Sequence, residues 1–319
     1  MAILVTGGAG FIGSHLMERL IRDGREALCL DDFNDYYTPA LKRRNIECVR
    51  RVGAFRLYEG DIRDRDLCAR IFQENRVEVV VHLAARAGVR VSLEQPSLYQ
   101  DVNCTGTTNL LELSRLHGVK KFVFGASSSV YGNNTKVPFS EEDRVDEPIS
   151  PYAASKRAGE LLCYTYHHLY KLPVACLRFF TVYGPRQRPD MAIHKFTRII
   201  AAGGEVPMFG DGTMKRDYTF YTDILQGVLA AIEKDFGFEI FNLGESNTVE
   251  LRYLISLIEK ALGLKAKIKQ LPTQPGDVEI TYADISKSQR LLGYKPCVPI
   301  EEGIPVFVKW YRENMIRNA

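Results

Sequence analysis

The sequence lacks several features that would point directly to a function class. It has no marked excess of charge of either sign: 42 Lys and Arg stand against 39 Asp and Glu, a formal net charge of +3. That balance leaves no general electrostatic footprint for nucleic acid, so the expected partner is a small anion held by a local basic pocket. No apolar run is long enough to cross a bilayer. Nothing after Met1 has the charged, apolar and small-residue order of a secretory signal. The seven cysteines, at Cys29, Cys48, Cys68, Cys104, Cys163, Cys176 and Cys297, are odd in number and never fall at metal-ligand or redox spacing. They read as reduced thiols of a cytoplasmic protein. The six histidines form no ligand pattern, and the adjacent His167 and His168 would leave a helix on different faces, so no metal site is expected. Internal repeats and low-complexity segments are absent too.

What the chain does have is length and a regular alternation. Its 319 residues suffice for two domains of common size and a sizeable core. Over the first 180 residues short apolar runs alternate with helical patterns: Ile3 to Val5, Ala27 to Leu30, Phe55 to Tyr58, Val77 to Leu83, Lys121 to Phe124 and Pro173 to Phe179. Most are rich in Val, Ile, Leu or Phe, as strands buried on both faces are. Gly24 and Gly118 stand where helices should stop, and Pro96 and Pro151 where they should start. The pattern predicts an α/β fold with a doubly wound parallel sheet, because parallel strands require crossover helices. After Gly184 prolines and paired glycines break the pattern around one helix near Ala192 to Ala202. We therefore expect a sheet domain over residues 1–180, to which 217–243 returns, and a smaller α/β substrate domain over 181–319.

Three pieces of sequence carry chemistry. The first is Gly8-Ala9-Gly10-Phe11-Ile12-Gly13, lying between the run at Ile3 to Val5 and an amphipathic stretch from Phe11 to Arg22. This strand, turn and helix context is what a dinucleotide pyrophosphate needs: close backbone approach and the unpaired N–H groups of a helix start. Asp31 and Asp32 follow the second strand about 20 residues on, where a carboxylate can accept from a ribose and would repel a 2′-phosphate, which favours NAD over NADP. The plain alternative for these two is a loop cap. Asp61 and Ile62, after the third strand, are candidates for the adenine border.

The other two pieces are Ser127-Ser128-Ser129-Val130-Tyr131-Gly132 and the pair Tyr152 and Lys156. If Pro151 opens a helix, Tyr152 and Lys156 share one face, one turn apart. Chance could produce such a pair, but this one follows a strand whose end carries the serines, and ligands of open parallel sheets gather at those ends. Phenols titrate near 10, so a phenolate at neutral pH needs about 4 kcal/mol of differential stabilisation, which Lys156 and an oxidised nicotinamide could supply together. Ser127 could hold a substrate hydroxyl and relay its proton; otherwise the serines simply finish a strand and its turn.

With these motifs the chain resembles an extended short-chain dehydrogenase/reductase of the nucleotide-sugar epimerase and dehydratase group. The resemblance covers nearly the whole length. It also rests on His82-Leu83-Ala84-Ala85, on Arg178-Phe179-Phe180-Thr181-Val182-Tyr183-Gly184-Pro185 and on Arg216-Asp217-Tyr218. It implies retained NAD, a UDP-sugar substrate and a homodimer packed through helices near Pro96 to His117 and Pro151 to Lys171. The catalytic set it implies is Ser127, Tyr152 and Lys156. The implied cofactor contacts are Gly7, Gly10, Phe11, Ile12, Gly13, Asp31, Asp32, Asp61, Ile62, Leu83, Ala84, Ala85, Asn103, Tyr152 and Lys156. The implied sugar-nucleotide contacts are Arg90, Ser127, Ser128, Ser129, Tyr152, Thr181, Arg188, Arg216 and Asp277.

Within the group, dehydratases and decarboxylases carry an acid where this chain has Ser129, so epimerisation is favoured. The segments Gly184-Pro185-Arg186-Gln187-Arg188-Pro189-Asp190-Met191-Ala192, Met214-Lys215-Arg216-Asp217 and Gln274-Pro275-Gly276-Asp277-Val278 are most similar to UDP-glucuronate 4-epimerases. So is the stretch from Asp31 to Asn45. Arg90, Arg186, Arg188, Lys195, Lys215 and Arg216 would form a basic lining if their loops converge, although each of Arg186, Lys195 and Lys215 could equally be solvated. Of these, Arg216 is assigned to the diphosphate and Arg188 to the uronate or its nucleotide. Thr181 stands where many relatives have Asn, and Gln274 where many have Arg. The small Thr281 leaves room for larger sugars. A UDP-glucose or UDP-N-acetylglucosamine 4-epimerase is the closest alternative. A non-catalytic NAD-binding interaction protein would not need Ser127, Tyr152 and Lys156 together.

Overall fold

The computed structural model describes residues 2–272 and 278–316. Its centre is a seven-stranded parallel sheet made of β1 (Ala2–Thr6), β2 (Glu26–Asp31), β3 (Arg56–Glu59), β4 (Val77–His82), β5 (Lys121–Ser127), β6 (Val174–Phe179) and one later strand, Phe238–Leu243. Between β6 and that strand lie β7 (Thr181–Tyr183), β8 (Glu205–Phe209), β9 (Lys215–Arg216) and β10 (Tyr218–Phe220), so the later strand is β11. The sheet order is β11-β6-β5-β4-β1-β2-β3. Chain order reverses between β1 and β4, and in open parallel sheets the crevice at such a point takes the ligand.

Register places the strand ends together on this crevice. Thr6 pairs with Leu30 on one side and with His82 on the other, while Ser127 pairs with Phe179. β1 is buried along its whole length, as expected of a central strand covered on both faces. The helices α1 (Phe11–Arg22), α2 (Pro39–Val52), α3 (Arg65–Glu74), α4 (Val89–Glu94), α5 (Pro96–Gln100), α6 (Gly106–Leu116) and α7 (Pro151–Tyr170) follow the strands in turn. One side of α1 puts Leu16, Met17 and Leu20 into the core. Cutting one such leucine to alanine would cost ~2–5 kcal/mol.

The predicted stop and start signals act as expected. Gly24 and Gly118 have φ of +70° and +64°, and Pro96 and Pro151 stand at the first helical positions. At the head of α7 the Ser150 side chain accepts from the Ala153 N–H at 3.1 Å. That cap fixes where the helix begins, and so where Tyr152 and Lys156 project.

A second core lies beside the sheet. It is built from α8 (Ala192–Ala201), α10 (Leu251–Leu262) and α12 (Ile300–Tyr311), through residues such as Phe196, Leu254, Ile258, Ile304 and Phe307. Three strand pairs border it: β7 with β10, β8 with β13 (Lys267–Leu271), and β9 with β12 (Val249–Glu250). The helix α9 (Tyr221–Glu233) returns to the sheet, where Ile224 and Val228 join its core beside Leu243 of β11. The short helix α11 (Ser286–Leu292) adds Leu292 to the same cluster.

Candidate active site

Two adjoining cavities of about 370 and 530 Å³ open along the strand ends. The first runs from the glycine turn past Asp31, Asp32, Asp61, Ile62, Leu83, Ala84 and Ala85 to Ser127, Tyr152 and Lys156. The second lies over the smaller core and is lined by Arg90, Lys195, Arg216 and Thr281, among others. Tyr36, Gly88, Val89, Ser128, Ser129, Thr181 and Met191 border both. Any molecule that spans the two cavities must pass through this junction.

The turn is a cradle made of missing side chains. A Cβ on Gly13 would sit 2.1 Å from the Gly7 carbonyl oxygen, and one on Gly7, whose φ is +72°, would sit 2.8 Å from the Ala84 nitrogen. The first turn of α1 has neither a side-chain cap nor an acidic residue, so its N–H groups and positive dipole end face the cavity. These residues fit a dinucleotide pyrophosphate. Asp31 is buried and already accepts from the N–H groups of Ala9 at 3.0 Å and Phe33 at 2.9 Å. Its carboxylate thus ties the glycine turn to the end of β2 while still lining the cavity. Burial raises its pKa, although those two bonds and the nearby Lys42 pull the other way.

A fixed hydrogen-bond chain supports the loop after β4. The Ala84 N–H donates to Thr6 Oγ1 at 3.2 Å, and Thr6 Oγ1 is 2.7 Å from His82 Nδ1. On the other side His82 Nε2 is 2.9 Å from Thr107 Oγ1, which donates to the Asn103 carbonyl at 2.5 Å. Burial and the Lys156 charge push the His82 pKa down to about 3, so the ring stays neutral and keeps this pattern. Asn103, expected as a cofactor contact, does not line the cavity. Its amide instead accepts from the Arg86 N–H at 2.8 Å and donates to Ser155 Oγ at 2.9 Å, locking the β4 loop to α7.

Tyr152 and Lys156 stand one turn apart on α7, and both line the first cavity. Burial raises the Tyr152 phenol above its ordinary value, while its hydrogen bond with Ser127 and the Arg188 charge pull it down. Lys156 directs its Nζ to the Gly125 carbonyl at 2.6 Å, over the Phe124 ring at 5.1 Å from its centre.

 Burial lowers the Lys156 pKa to about 8. Its ammonium is engaged with the sheet, and the Arg188 charge is a further pull downward on the Tyr152 phenol. Ser127 also donates to Ser129 Oγ at 3.1 Å, which makes the serine run one hydrogen-bonded ledge beneath Tyr152.

The basic lining assembles only in part. Arg90 and Lys195 lie in the second cavity, with Arg90 over the Phe209 ring at 5.0 Å. Arg216, in the same cavity, donates from Nη1 to the Lys215 carbonyl at 2.8 Å. Arg188 lines the first cavity instead and pairs with Asp190 at 2.9 Å. Arg186 turns away to Glu18 and Ser14 of α1, and Lys215 pairs with Glu250 at 3.5 Å, so these two act as fasteners. Asp277 and Gln274 lie outside the described residues. The sequence reading missed Tyr36, Gly88 and Met191, all at the junction. Gly88 carried a usable signal, since a glycine just past a strand end often has positive φ, and here φ is +99°.

Comparison with known proteins places relatives beside this geometry. The model of the "NAD dependent epimerase/dehydratase family" matches residues 3–244. A UDP-glucuronate 4-epimerase of Thermodesulfobacterium geofontis is 45% identical over 313 residues, which cover 98% of this chain and 96% of that protein. The UDP-glucuronic acid 4-epimerase of Bacillus cereus, solved with UDP-glucuronic acid and NAD, superposes with a TM-score of 0.93 at 36% identity, covering 98% of this chain and 99% of that one. The UDP-glucose 4-epimerase of Thermotoga maritima, solved with UDP-glucose, gives 0.90 at 36% identity, with 99% and 100% covered.

Proposed function

Because the chain belongs to the NAD dependent epimerase/dehydratase family, we propose that it is an NAD-dependent 4-epimerase of a UDP-sugar, converting UDP-glucuronate to UDP-galacturonate through a 4-keto intermediate. The observation that carries this reading is the junction of the two cavities: Tyr152 and the serine ledge lie on the cofactor side, and Thr181 and Ser129 border both sides. The glycine cradle, Asp31 and Asp32, Asp61 and Ile62, and Leu83 to Ala85 would hold the dinucleotide. Bound NAD supplies a two-electron acceptor for the hydrogen on C4 and a donor that returns it.

The protein's own part is proton transfer and orientation. Tyr152 takes the 4-hydroxyl proton, directly or through Ser127, and gives it back at the end. Lys156, fixed on Gly125, keeps the face of α7 in register with β5. Arg90 and Arg216 serve the diphosphate, while the sugar turns over within the junction and presents its other face. A 4-keto uronate is a β-keto acid and loses carbon dioxide when its carboxylate bond aligns with the ketone. Ser127, Ser128, Thr181 and Arg188 hold the carboxylate out of that alignment. Ser129, in place of an acid, leaves no carboxylate there for elimination chemistry.

We also read the protein as a cytoplasmic homodimer. Leu116 of α6 and Leu161, Tyr164 and Leu169 of α7 are exposed, which supports pairing through this face. A neutral sugar is the second reading, supported by the Thermotoga maritima likeness and by the small Thr281 in the second cavity. The deciding experiment is NMR of purified protein without added NAD, given UDP-glucuronate, UDP-glucose or UDP-N-acetylglucosamine separately. Selective formation of UDP-galacturonate is expected. Exclusive turnover of a neutral sugar would remove the uronate assignment and keep the epimerase.

A further inference from the structure

We propose that Asp190 and Tyr36 form a clamp that positions Arg188, and that Asp190 thereby sets the preference for an anionic over a neutral sugar. The proposal rests on the reading of Arg188 as the uronate contact. Its basis is a cluster that links two loops, the one after β2 and the one before α8. Arg188 Nε lies 3.1 Å from Asp190 Oδ1 and Arg188 Nη2 lies 2.9 Å from Asp190 Oδ2, a two-point fork. The guanidinium carbon stands 5.4 Å from the centre of the Tyr36 ring, and Tyr36 Oη donates to Asp190 Oδ2 at 3.4 Å. One carboxylate and one ring thus fix both the edge and the plane of the guanidinium.

The supports of this cluster are themselves fixed. The Tyr36 N–H donates to Asn34 Oδ1 at 3.1 Å, and the Asn34 N–H to Asp32 Oδ1 at 3.0 Å, a relay from the ribose end of the first cavity to the ring. Gly88 makes room for the phenol, since a Cβ there would lie 2.4 Å from Tyr36 Oη. On the other loop, Pro189 separates the two charged residues, the Met191 N–H closes on the Arg188 carbonyl at 3.2 Å, and His194 Nδ1 is 2.6 Å from the Gln187 carbonyl.

The fork occupies the Nε and Nη2 edge of Arg188 and leaves Nη1 for a further acceptor. Arg188 faces the first cavity and Asp190 the second, with Tyr36 on both. A sugar carboxylate arriving at the junction meets a guanidinium already oriented, with its second edge open. A neutral sugar meets a pair whose charges cancel, so it has little to gain or lose from Asp190. Asp190 is a positioning residue in this scheme, and its effect must therefore appear as a ratio between substrates.

The test uses the enzyme as purified with its cofactor. We would measure kcat and KM for UDP-glucuronate, and KM or the competitive inhibition constant for UDP-glucose, in wild type, Asp190→Asn, Asp190→Glu, Tyr36→Phe and Arg188→Ala. For Asp190→Asn we expect kcat/KM for UDP-glucuronate to fall about 10–30-fold while the UDP-glucose constant moves about 2-fold or less. Asp190→Glu should recover part of the loss, and Tyr36→Phe should cost about 2–3-fold, because the ring remains. An equal fall for both sugars, or none for either, overturns the proposal. If Arg188→Ala abolishes the preference for the uronate and Asp190→Asn does not alter it, the clamp alone is wrong. If Arg188→Ala leaves the preference intact, the uronate reading of Arg188 fails, and the clamp falls with it.

Discussion

The two halves of the cleft are built by different physical means. On the sheet side, backbone does the shaping: glycines without room for a Cβ, strand ends in register, and a buried chain from Ala84 through Thr6, His82 and Thr107 to Asn103. At the junction and on the sugar side, long charged side chains do it, and two pairs hold one another: Arg188 with Asp190 within one loop, and Lys215 of β9 with Glu250 of β12. A shape made by backbone is set as soon as the sheet folds. A shape made by side-chain pairs can be retuned one residue at a time, which is how one fold serves several substrates.

Tyr152 stands where the halves meet, and its removal should separate them most sharply. Tyr152→Phe keeps the ring against Tyr99, whose centroid is 6.2 Å away, and deletes only the hydroxyl. We expect kcat to fall by a factor on the order of 10³ or more, with dinucleotide still bound. NMR turnover and the nucleotide content released on denaturation check both. Retained turnover would exclude Tyr152 as the base.

The seam below the cleft should show the next largest effect. Arg178 is fully buried and makes a two-point pair with Glu160, at 2.8 and 2.9 Å, and its Nη1 donates to Tyr131 Oη at 3.0 Å. Tyr131 in turn donates to Asn242 Oδ1 at 2.7 Å, which ties β11 to the turn after β5. Glu160→Gln leaves the guanidinium without its counter-charge and should cost about 3–5 kcal/mol of stability, measured by urea unfolding. Glu160→Gln at little cost would mean that this network is not what ties β11 to the turn after β5.

A backbone-made half predicts a different kind of sensitivity. Gly13→Ala puts a methyl group 2.1 Å from the Gly7 carbonyl, so either the turn or α1 must shift. We expect loss of bound dinucleotide and about 1–3 kcal/mol of destabilisation, while the second core is unaffected. Nucleotide content and thermal unfolding give the two readouts. Full occupancy in the variant would show that the cradle is adaptable, and would blur the contrast drawn here.

The same contrast explains what the sequence made legible. The six early strands, the glycine turn and the face shared by Tyr152 and Lys156 follow from period, spacing and punctuation, which are local properties. The partners of Lys156 and Asn103 did not follow, because the Gly125 carbonyl and Ser155 Oγ come to them only through tertiary packing. Tyr36 was hidden for a related reason. Nothing in Phe33-Asn34-Asp35-Tyr36 says that its ring will lie under an arginine more than 150 residues later at a 5.4 Å separation. Of the six basic residues expected to line the site, Arg186 and Lys215 each pair with an acidic residue on another element, Glu18 and Glu250, which the linear sequence does not show.

The smallest effect we expect comes from beneath the sugar half and has a defined pH dependence. Glu245 Oε2 is buried with no hydrogen-bond partner among the described residues, and burial, then the charges of Asp223 and Asp217, push its pKa up to about 8. The folded protein therefore holds this proton more tightly than the unfolded chain, where the ordinary value is 4.5. Stability from this group is complete below about pH 4.5, declines as pH rises towards 8, and stays low above it. Glu245→Gln keeps the site neutral at every pH, so variant and wild type should match at pH 4.5, and the variant should be more stable at pH 9 by roughly 1–2 kcal/mol. Asp217, raised to about 6 mainly by burial, adds its own decline between the ordinary 3.8 and 6 in both proteins and so largely cancels from the comparison. Urea unfolding at the two pH values decides the matter. A difference that does not change with pH would mean that Glu245 is already ionised in the folded protein, and that the floor of the sugar half is wetter than its packing implies.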